Sequence, residues 1–268
     1  MISDNVVVLL VAETPLSPST GVGLGEVDRP VQRDPATGLP VIRGSAVKGA
    51  LRHYLRSLGK EFLISPVGED NAPLRISVGD ARLIALPVPS NSEFMVWLTS
   101  PYLLGRFEAD SGLRRRDSGT SPDDGGVCYS SSENGSMFVD FLNRVVRVKR
   151  CDDHAAALKE LACMIPEFLQ MKLLVLGDRV IKEVYDLGLG RRVRAKLGEE
   201  KSVEKGKLWV EEYFPQYSLF YLNMFVMKGA EGILSLMKGR GLLFPIGGSF
   251  TLGFGLVRAR IVGGCDHA

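Results

Sequence analysis

Few of the usual catalytic signatures are present in this 268-residue chain. Its four cysteines, Cys128, Cys151, Cys163 and Cys265, form no CxxC pair and no regular framework. They read as free thiols in a reducing compartment. The three histidines, His53, His154 and His267, are isolated, with no HExxH and no Cys/His cluster, which argues against a zinc site. No GxxxxGK[ST] loop exists, and Gly21, Gly23 and Gly25 do not make GxGxxG, so a nucleotide-binding glycine loop is not expected. A GxSxG elbow is also missing. Long apolar runs are absent. Residues 6–12 are far too short to span a bilayer and follow Asp4 rather than a basic segment, so neither a membrane span nor a signal peptide is read there. A soluble cytoplasmic protein with no membrane partner is the expectation. Excess charge is lacking too: the formal net charge is +2, so a surface for a polyanion must come from placement. No short-period repeat appears, which sets aside solenoids and propellers.

What is present is a core and a set of basic, glycine-rich segments. Hydrophobic residues make up 45% of the chain, too many for a disordered protein. Residues 6–12 predict a buried strand, and Pro30, Pro35 and Pro40 keep the following stretch in a stiff extended loop. A helix is predicted from Ser45, as N-cap, to about residue 59, with Val47, Leu51, Tyr54, Leu55 and Leu58 on one face. Residues 78–88 and 93–100 predict a hairpin, and 105–136, rich in Gly, Ser, Asp and Arg, a long mobile loop. Further strands are read at 138–148, 173–176 and 218–227, with helices at 155–165, 178–187 and 231–238. Residues 191–210 read as a charged hairpin, and 242–261 as two strands around a glycine turn. Interleaved helices and mostly antiparallel strands without βαβ repetition make the class α+β.

Four features carry chemistry. On the first helix Lys48, Arg52 and Arg56 recur every four positions, spread over about 80°, with Ser45 on the same side. Such a row can track a phosphate backbone or simply be a solvated face; the preceding Arg29, Arg33 and Arg43 favour phosphate. The 191–207 hairpin carries Arg191, Arg192, Arg194 and four lysines against three glutamates. That suits a nucleic-acid strand, although an exposed charged hairpin also blocks edge aggregation. Gly247, Gly248, Gly253 and Gly255 can cradle phosphates on backbone amides, or make a tight turn. Asp28, between the glycines and Pro30, is the acid of interest, although a loop aspartate often only caps amides. Glu211 and Tyr213, after Trp209, add second-tier candidates. On these residues alone the chain reads as an RNA-binding α+β protein.

Three blocks make the chain recognisable: GLGEVDRPVQRDPATGLPVIRGSAVKGALR, ISVGDARLIALPV with WLTSPYLLGRF, and LWVEEYFPQYSLFY with IGGSFTLGFGLVR. Running from Gly23 to Arg258, they resemble the RAMP superfamily, specifically the repeated backbone subunit of type III-B CRISPR effectors. The resemblance implies one RAMP domain over 1–268, with a modified ferredoxin-like (RRM-like) core, insertions and a β-hairpin thumb. It implies copies stacked head to tail along a CRISPR guide RNA, beside other effector subunits, with each thumb kinking the guide–target duplex. Single-stranded target RNA would be cut beside each kink by a loop aspartate and a divalent metal, Mg or Mn. Asp28 occupies that position, as catalyst and metal ligand. Arg33, Arg43, Ser45, Lys48, Arg52, Arg56, Arg192, Arg194 and the four glycines would hold RNA. Where some relatives carry a loop histidine this chain has Ser17, so no histidine base is expected there. Two rival readings are a non-catalytic RNA-binding backbone and a guide-processing RAMP ribonuclease.

Overall fold

The computed structural model describes residues 2–19, 27–65, 75–91, 94–113, 127–130, 138–142, 144–150, 154–169, 171–197, 203–247 and 249–263. The elements in chain order are β1 (Ile2–Ala12), β2 (Val41–Ile42), α1 (Gly44–Ser57), β3 (Ile76–Val78), β4 (Ala81–Ser90) and β5 (Phe94–Thr99). Next come α2 (Pro101–Ser111), β6 (Val127–Ser130), β7 (Phe138–Phe141), β8 (Arg144–Arg147), β9 (Lys149–Arg150), α3 (Ala155–Ala162) and β10 (Leu173–Leu176). The chain closes with α4 (Asp178–Val184), β11 (Gly190–Leu197), β12 (Val203–Tyr213), β13 (Leu219–Met227), α5 (Gly232–Leu236), β14 (Leu242–Pro245) and β15 (Leu256–Ile261).

The main sheet runs β14-β15-β1-β13-β4-β5-β10-β6-β9, with β2 also on β4 and β3 also on β13. Most of its pairs are antiparallel, as in the long β1–β13 ladder from Ile2↔Met227 to Val11↔Leu219. The α+β reading holds. Residues 6–12 read as an unbroken apolar run because β1 is central and covered on both faces. Val8, Leu10 and Ala12 join one core cluster with Val47, Leu51 and Leu55 of α1, and with α4 and α5. Leu9 and Val11 join a second, with Leu104 and Phe107 of α2 and with α3. Truncating a fully buried residue such as Leu51 to alanine is expected to cost about 2–5 kcal/mol.

Two expectations need correcting. Helix α1 starts two residues earlier than a Ser45 cap implies: Arg43 is the N-cap residue and makes no side-chain cap bond. Asp80 does the capping from outside, its Oδ1 accepting from the Gly44 amide at 2.7 Å. Gly44 is needed there, since a Cβ would lie 2.3 Å from the Val78 carbonyl oxygen. The stretch 105–136 is also not one mobile loop. Its first seven residues finish α2, which is capped by Ser100 with proline at the first turn and stopped by Gly112 at φ 71°. β6 lies within the same stretch, hydrogen-bonded to β10; residues 114–126 and 131–137 lie outside the described ones. The thiol reading is corrected as well, because Cys163 is disulfide-bonded.

Candidate nucleic-acid interface and cleavage site

The loop after β1 is sewn to β12 at two places. Leu16 and Phe214 exchange backbone hydrogen bonds at 2.9 and 2.8 Å. Further on, the Arg29 amide donates to the Val210 carbonyl and the Glu212 amide donates to the Arg29 carbonyl, each at 3.0 Å, forming a one-residue parallel bridge. Asp28 stands beside that bridge. It is exposed, and its Oδ2 accepts from the Val210 amide at 2.7 Å. So Asp28 does cap a backbone amide, but with one oxygen; among the described residues Oδ1 has no partner.

The hairpin β11–β12 forms its own two-stranded sheet, and its register explains its two faces. Arg192 lies opposite Glu211 and Arg194 opposite Trp209, so these four share one side. Glu211 is 3% exposed and saturated with donors. The Trp209 indole reaches it at 2.7 Å, Arg192 at 2.8 Å, Arg29 at 3.1 Å and Arg194 at 3.3 Å. Burial pushes its carboxyl up, but hydrogen bonds from Trp209 and Arg192 and the arginine charges pull harder, leaving it below the ordinary range. Arg29 and Arg194 also lie 5.0 and 5.4 Å from the Trp209 ring centre. Glu212, on the other side, accepts from the Val31 amide at 3.3 Å and pairs with Arg191 at 3.5 Å and Arg33 at 3.6 Å.

Glu211 and Tyr213, expected as catalytic residues, both carry other contacts here. Both oxygens of Glu211 accept hydrogen bonds from these side chains. The Tyr213 ring stands edge-on to Phe254 at 5.4 Å and crosses Gly190, where a Cβ would come within 2.2 Å of it. Sequence reasoning took Arg29 only as a cation favouring phosphate, and left Glu212 and Trp209 off the site. The one available signal was two adjacent acids at the end of an arginine-rich strand.

The expected RNA contacts divide. Arg33 donates to the Tyr185 hydroxyl at 2.6 Å and pairs with Asp186 at 2.8 Å, so it is tied inside the protein. Arg43 pairs with Asp80 at 2.8 Å. Arg52 and Arg56 both reach Glu61, each at 2.7 Å. Lys48 is half-buried with no ion pair among the described residues, and Ser45 is exposed inside the helix. Arg192 lies 3.6 Å from the Phe254 ring centre and 3.4 Å from the Ser249 hydroxyl, which joins the hairpin to the C-terminal turn. In that turn Gly247, Gly253 and Gly255 have φ of 87°, 80° and 91°. Gly255 is required, since a Cβ would lie 2.3 Å from the Ile246 carbonyl oxygen, while Gly253 faces open space. Gly248 lies outside the described residues. The Gly255 amide donates to the Pro15 carbonyl at 2.8 Å, so first loop, hairpin base and glycine turn meet. α1 connects to them through β14, by Tyr54 against Phe244.

A family model described as the RAMP superfamily matches residues 10–258. The chain belongs to the RAMP superfamily. It is 30% identical over 274 residues to the CRISPR system Cmr endoribonuclease Cmr4 of Pyrococcus furiosus, covering 92% of each. It is 28% identical over 305 residues to the CRISPR system CMR subunit Cmr4 of Saccharolobus solfataricus, covering 93% of this chain and 94% of that one. Among solved structures, a chain of the type III-B Cmr-beta complex bound to cognate target RNA superposes with a TM-score of 0.74. The two are 24% identical, and the match covers 97% of this chain and 98% of that one. Oligomeric Cmr4 from Pyrococcus furiosus gives 0.69 at 24% identity, covering 96% and 98%. The RAMP fold is what these structures share with it.

In this RAMP chain Ser17 donates to the Glu212 carbonyl at 2.9 Å, fastening the first loop to β12. For a metal, no group of three ligating side chains exists among the described residues. The donor set at Asp28 is one carboxylate with one oxygen to spare. That does not make a preformed cage. It does fit a hydrated magnesium-type ion, which keeps most of its waters and is commonly held by one or two carboxylates plus substrate phosphates.

Proposed function

We propose that this chain is a backbone subunit of a type III-B CRISPR ribonucleoprotein. Copies line up along a guide RNA, with the other effector subunits, in the cytoplasm. The subunit cleaves complementary target RNA endonucleolytically, and the β11–β12 hairpin is its thumb. The observation that carries this is an exposed carboxylate, Asp28, bonded to the base of an arginine-rich hairpin. It sits in a RAMP chain similar along nearly its whole length to a named endoribonuclease.

Asp28 Oδ1 takes the proton of a target 2′-hydroxyl. That oxygen attacks the adjacent phosphorus in line, the bond to the 5′-oxygen breaks, and the departing oxygen takes a proton from solvent. The products are a 2′,3′-cyclic phosphate and a 5′-hydroxyl. Positioning by the hairpin supplies the in-line geometry, which is where most of the acceleration of such a step can come from. The Asp28 carboxylate would be the protein ligand of a hydrated Mg²⁺ or Mn²⁺ ion, which when bound would supply positive charge to offset the negative charge developing on the phosphate.

The test is a complex assembled with guide RNA and end-labelled target, carrying Asp28→Asn. Loss of cutting with retained target binding is expected. Unchanged cutting, or linear 3′-phosphate ends without a cyclic precursor, would refute the assignment. Cleavage of precursor repeat RNA by the isolated chain would favour guide processing instead.

A further inference from the structure

We propose that the pocket between the end of α3 and the β14–β15 edge binds a small phosphorylated molecule of nucleotide size. Along β15, Val257 and Ala259 belong to the core cluster that includes α1. Strand alternation turns Arg258 and Arg260 to the other face of the sheet, opposite Val11 and Leu9 of β1, which belong to the second cluster. There they line a cavity of about 480 Å³, inside the range of small-molecule sites. Exposed Arg240 joins them from the turn before β14, and Ile165 and Pro166, just beyond α3, supply an apolar wall. Helix α1, whose cations were expected to hold RNA, packs on the opposite face, so this cavity is a separate feature.

Charge and geometry choose the ligand. Glu13 is the one acid among the lining residues, so three guanidinium groups face a single carboxylate. Arginines gathered around a hollow repel one another, and an anion placed among them relieves that repulsion. The excess positive charge matches a terminal phosphate group, which carries about −1.5 to −2 at pH 7. The cations are also held ready. Arg258 donates through Nε to Glu13 and through Nη1 to the Arg240 carbonyl at 3.0 Å, which leaves Nη2 without a partner among the described residues. Arg260 is braced by the Cys163 carbonyl at 3.5 Å. Gly241, at φ 78°, closes the turn that carries Arg240, where a Cβ would lie 2.6 Å from the Ala259 carbonyl oxygen. Groups fixed before the anion arrives lose little freedom on binding it. A carboxylate ligand would repeat what Glu13 already does for Arg258, whereas phosphate oxygens can be shared among all three guanidinium groups. A bare phosphate would leave most of the cavity unfilled; a ring or sugar attached to it would lie against Ile165 and Pro166.

The experiment is isothermal titration of the full chain with ADP, pyrophosphate, inorganic phosphate and acetate at fixed ionic strength. ADP is expected to bind more tightly than pyrophosphate or inorganic phosphate, and acetate not measurably. Arg240→Ala removes an exposed side chain and keeps the carbonyl that braces Arg258. It should weaken ADP about ten- to a hundredfold, the scale of one lost charge-assisted hydrogen bond. Arg240→Lys should recover only part of that loss, because it restores charge without the planar fork. Arg52→Ala on α1 should leave ADP affinity unchanged, and Arg240→Ala should leave the affinity of assembled complexes for target RNA unchanged. Undiminished ADP binding by both Arg240→Ala and Arg260→Gln would overturn the proposal. So would acetate binding as tightly as phosphate, or loss of ADP binding in Arg52→Ala, which would put the anion on the α1 face. Pyrophosphate binding as tightly as ADP would overturn the nucleotide-sized ligand and leave a free phosphoanion in its place. Weakened self-association of Arg240→Ala in sedimentation, with no ADP binding by the wild-type chain, would overturn the site and make the pocket a seat for an acidic segment of a second copy.

Discussion

Helix α1 and the base of the β11–β12 hairpin both present arginines paired with glutamates, yet the two arrangements do different work. On α1, Arg52 and Arg56 share Glu61, whose side chain is 23% exposed, and Arg56 is 58% exposed. At the hairpin, Glu211 and Glu212 are 3% and 4% exposed and between them hold five arginines. An exposed pair contributes little, so a phosphate can replace its carboxylate. A buried carboxylate leaves its partners uncompensated when removed, at about 3–5 kcal/mol. The lesson is that arginine count alone does not mark an RNA surface. The α1 arginines share an exposed carboxylate; those around Glu211 are structural, and the RNA they meet must come to them as they stand.

The largest effect should come from neither set but from the acid between them. Asp28→Asn is expected to lower the cleavage rate about 10²- to 10⁴-fold, the scale of losing a positioned general base. Because Asp28 is exposed, its Oδ2 bond to Val210 can be kept by the asparagine oxygen. The melting temperature should therefore move little, which calorimetry on the same protein checks.

Next in size is the comparison itself. Glu211→Ala is expected to destabilise the fold by about 3–5 kcal/mol, read from urea unfolding, as expected when one partner of a buried ion network is removed. Glu61→Ala should barely move the unfolding midpoint and raise RNA affinity, since it removes the carboxylate that holds Arg52 on the α1 face. Equal destabilisation by the two substitutions would erase the distinction.

Salt dependence sharpens it further. If α1 meets the guide backbone, Arg52→Ala and Arg56→Ala should each reduce the slope of log affinity against log salt by about 0.7, one phosphate contact on a single strand. Arg33→Ala should leave that slope unchanged, because Arg33 is already occupied by Asp186, Glu212 and the Tyr185 hydroxyl.

How much of this could be read from the chain follows from which signals are local. The apolar run of β1, the period of α1 and the turn between β11 and β12 are local, and each predicted its element. Asp28 was legible through its neighbours Pro30 and the glycines, and through resemblance. Helix α2 was missed because Gly105 sits inside it and the polar composition beyond residue 111 drew the boundary too early. The site's partners were missed for a deeper reason. Glu211 and Glu212 spell two carboxylates, the right chemistry for a metal or a base. Only the fold shows that Arg29 and Arg33, 182 and 179 positions earlier, consume them. Glu61 was overlooked on a smaller scale, lying nine residues beyond Arg52, past the helix end.

The smallest expected effect separates the two regions by pH. Hydrogen bonds from Arg56 first, and then from Arg52, hold the Glu61 carboxyl down from its ordinary 4.5 to about 2. Glu211 is shifted in the same direction. A carboxyl whose folded value lies below its unfolded one adds stability that is complete above about 4.5, and that is lost as pH falls through the folded value. The stability difference between the wild-type chain and Glu61→Gln should thus be small and flat from pH 7 to about pH 5, then vanish towards pH 2. The Glu211→Gln difference should have the same sign and a larger size. In 1 M salt, where the screening length is about 3 Å, the Glu61 difference should collapse while the buried one persists. A Glu61 difference that survived 1 M salt would mean that the surface pair is as fixed as the buried cluster, and α1 would then have no cations to offer a phosphate.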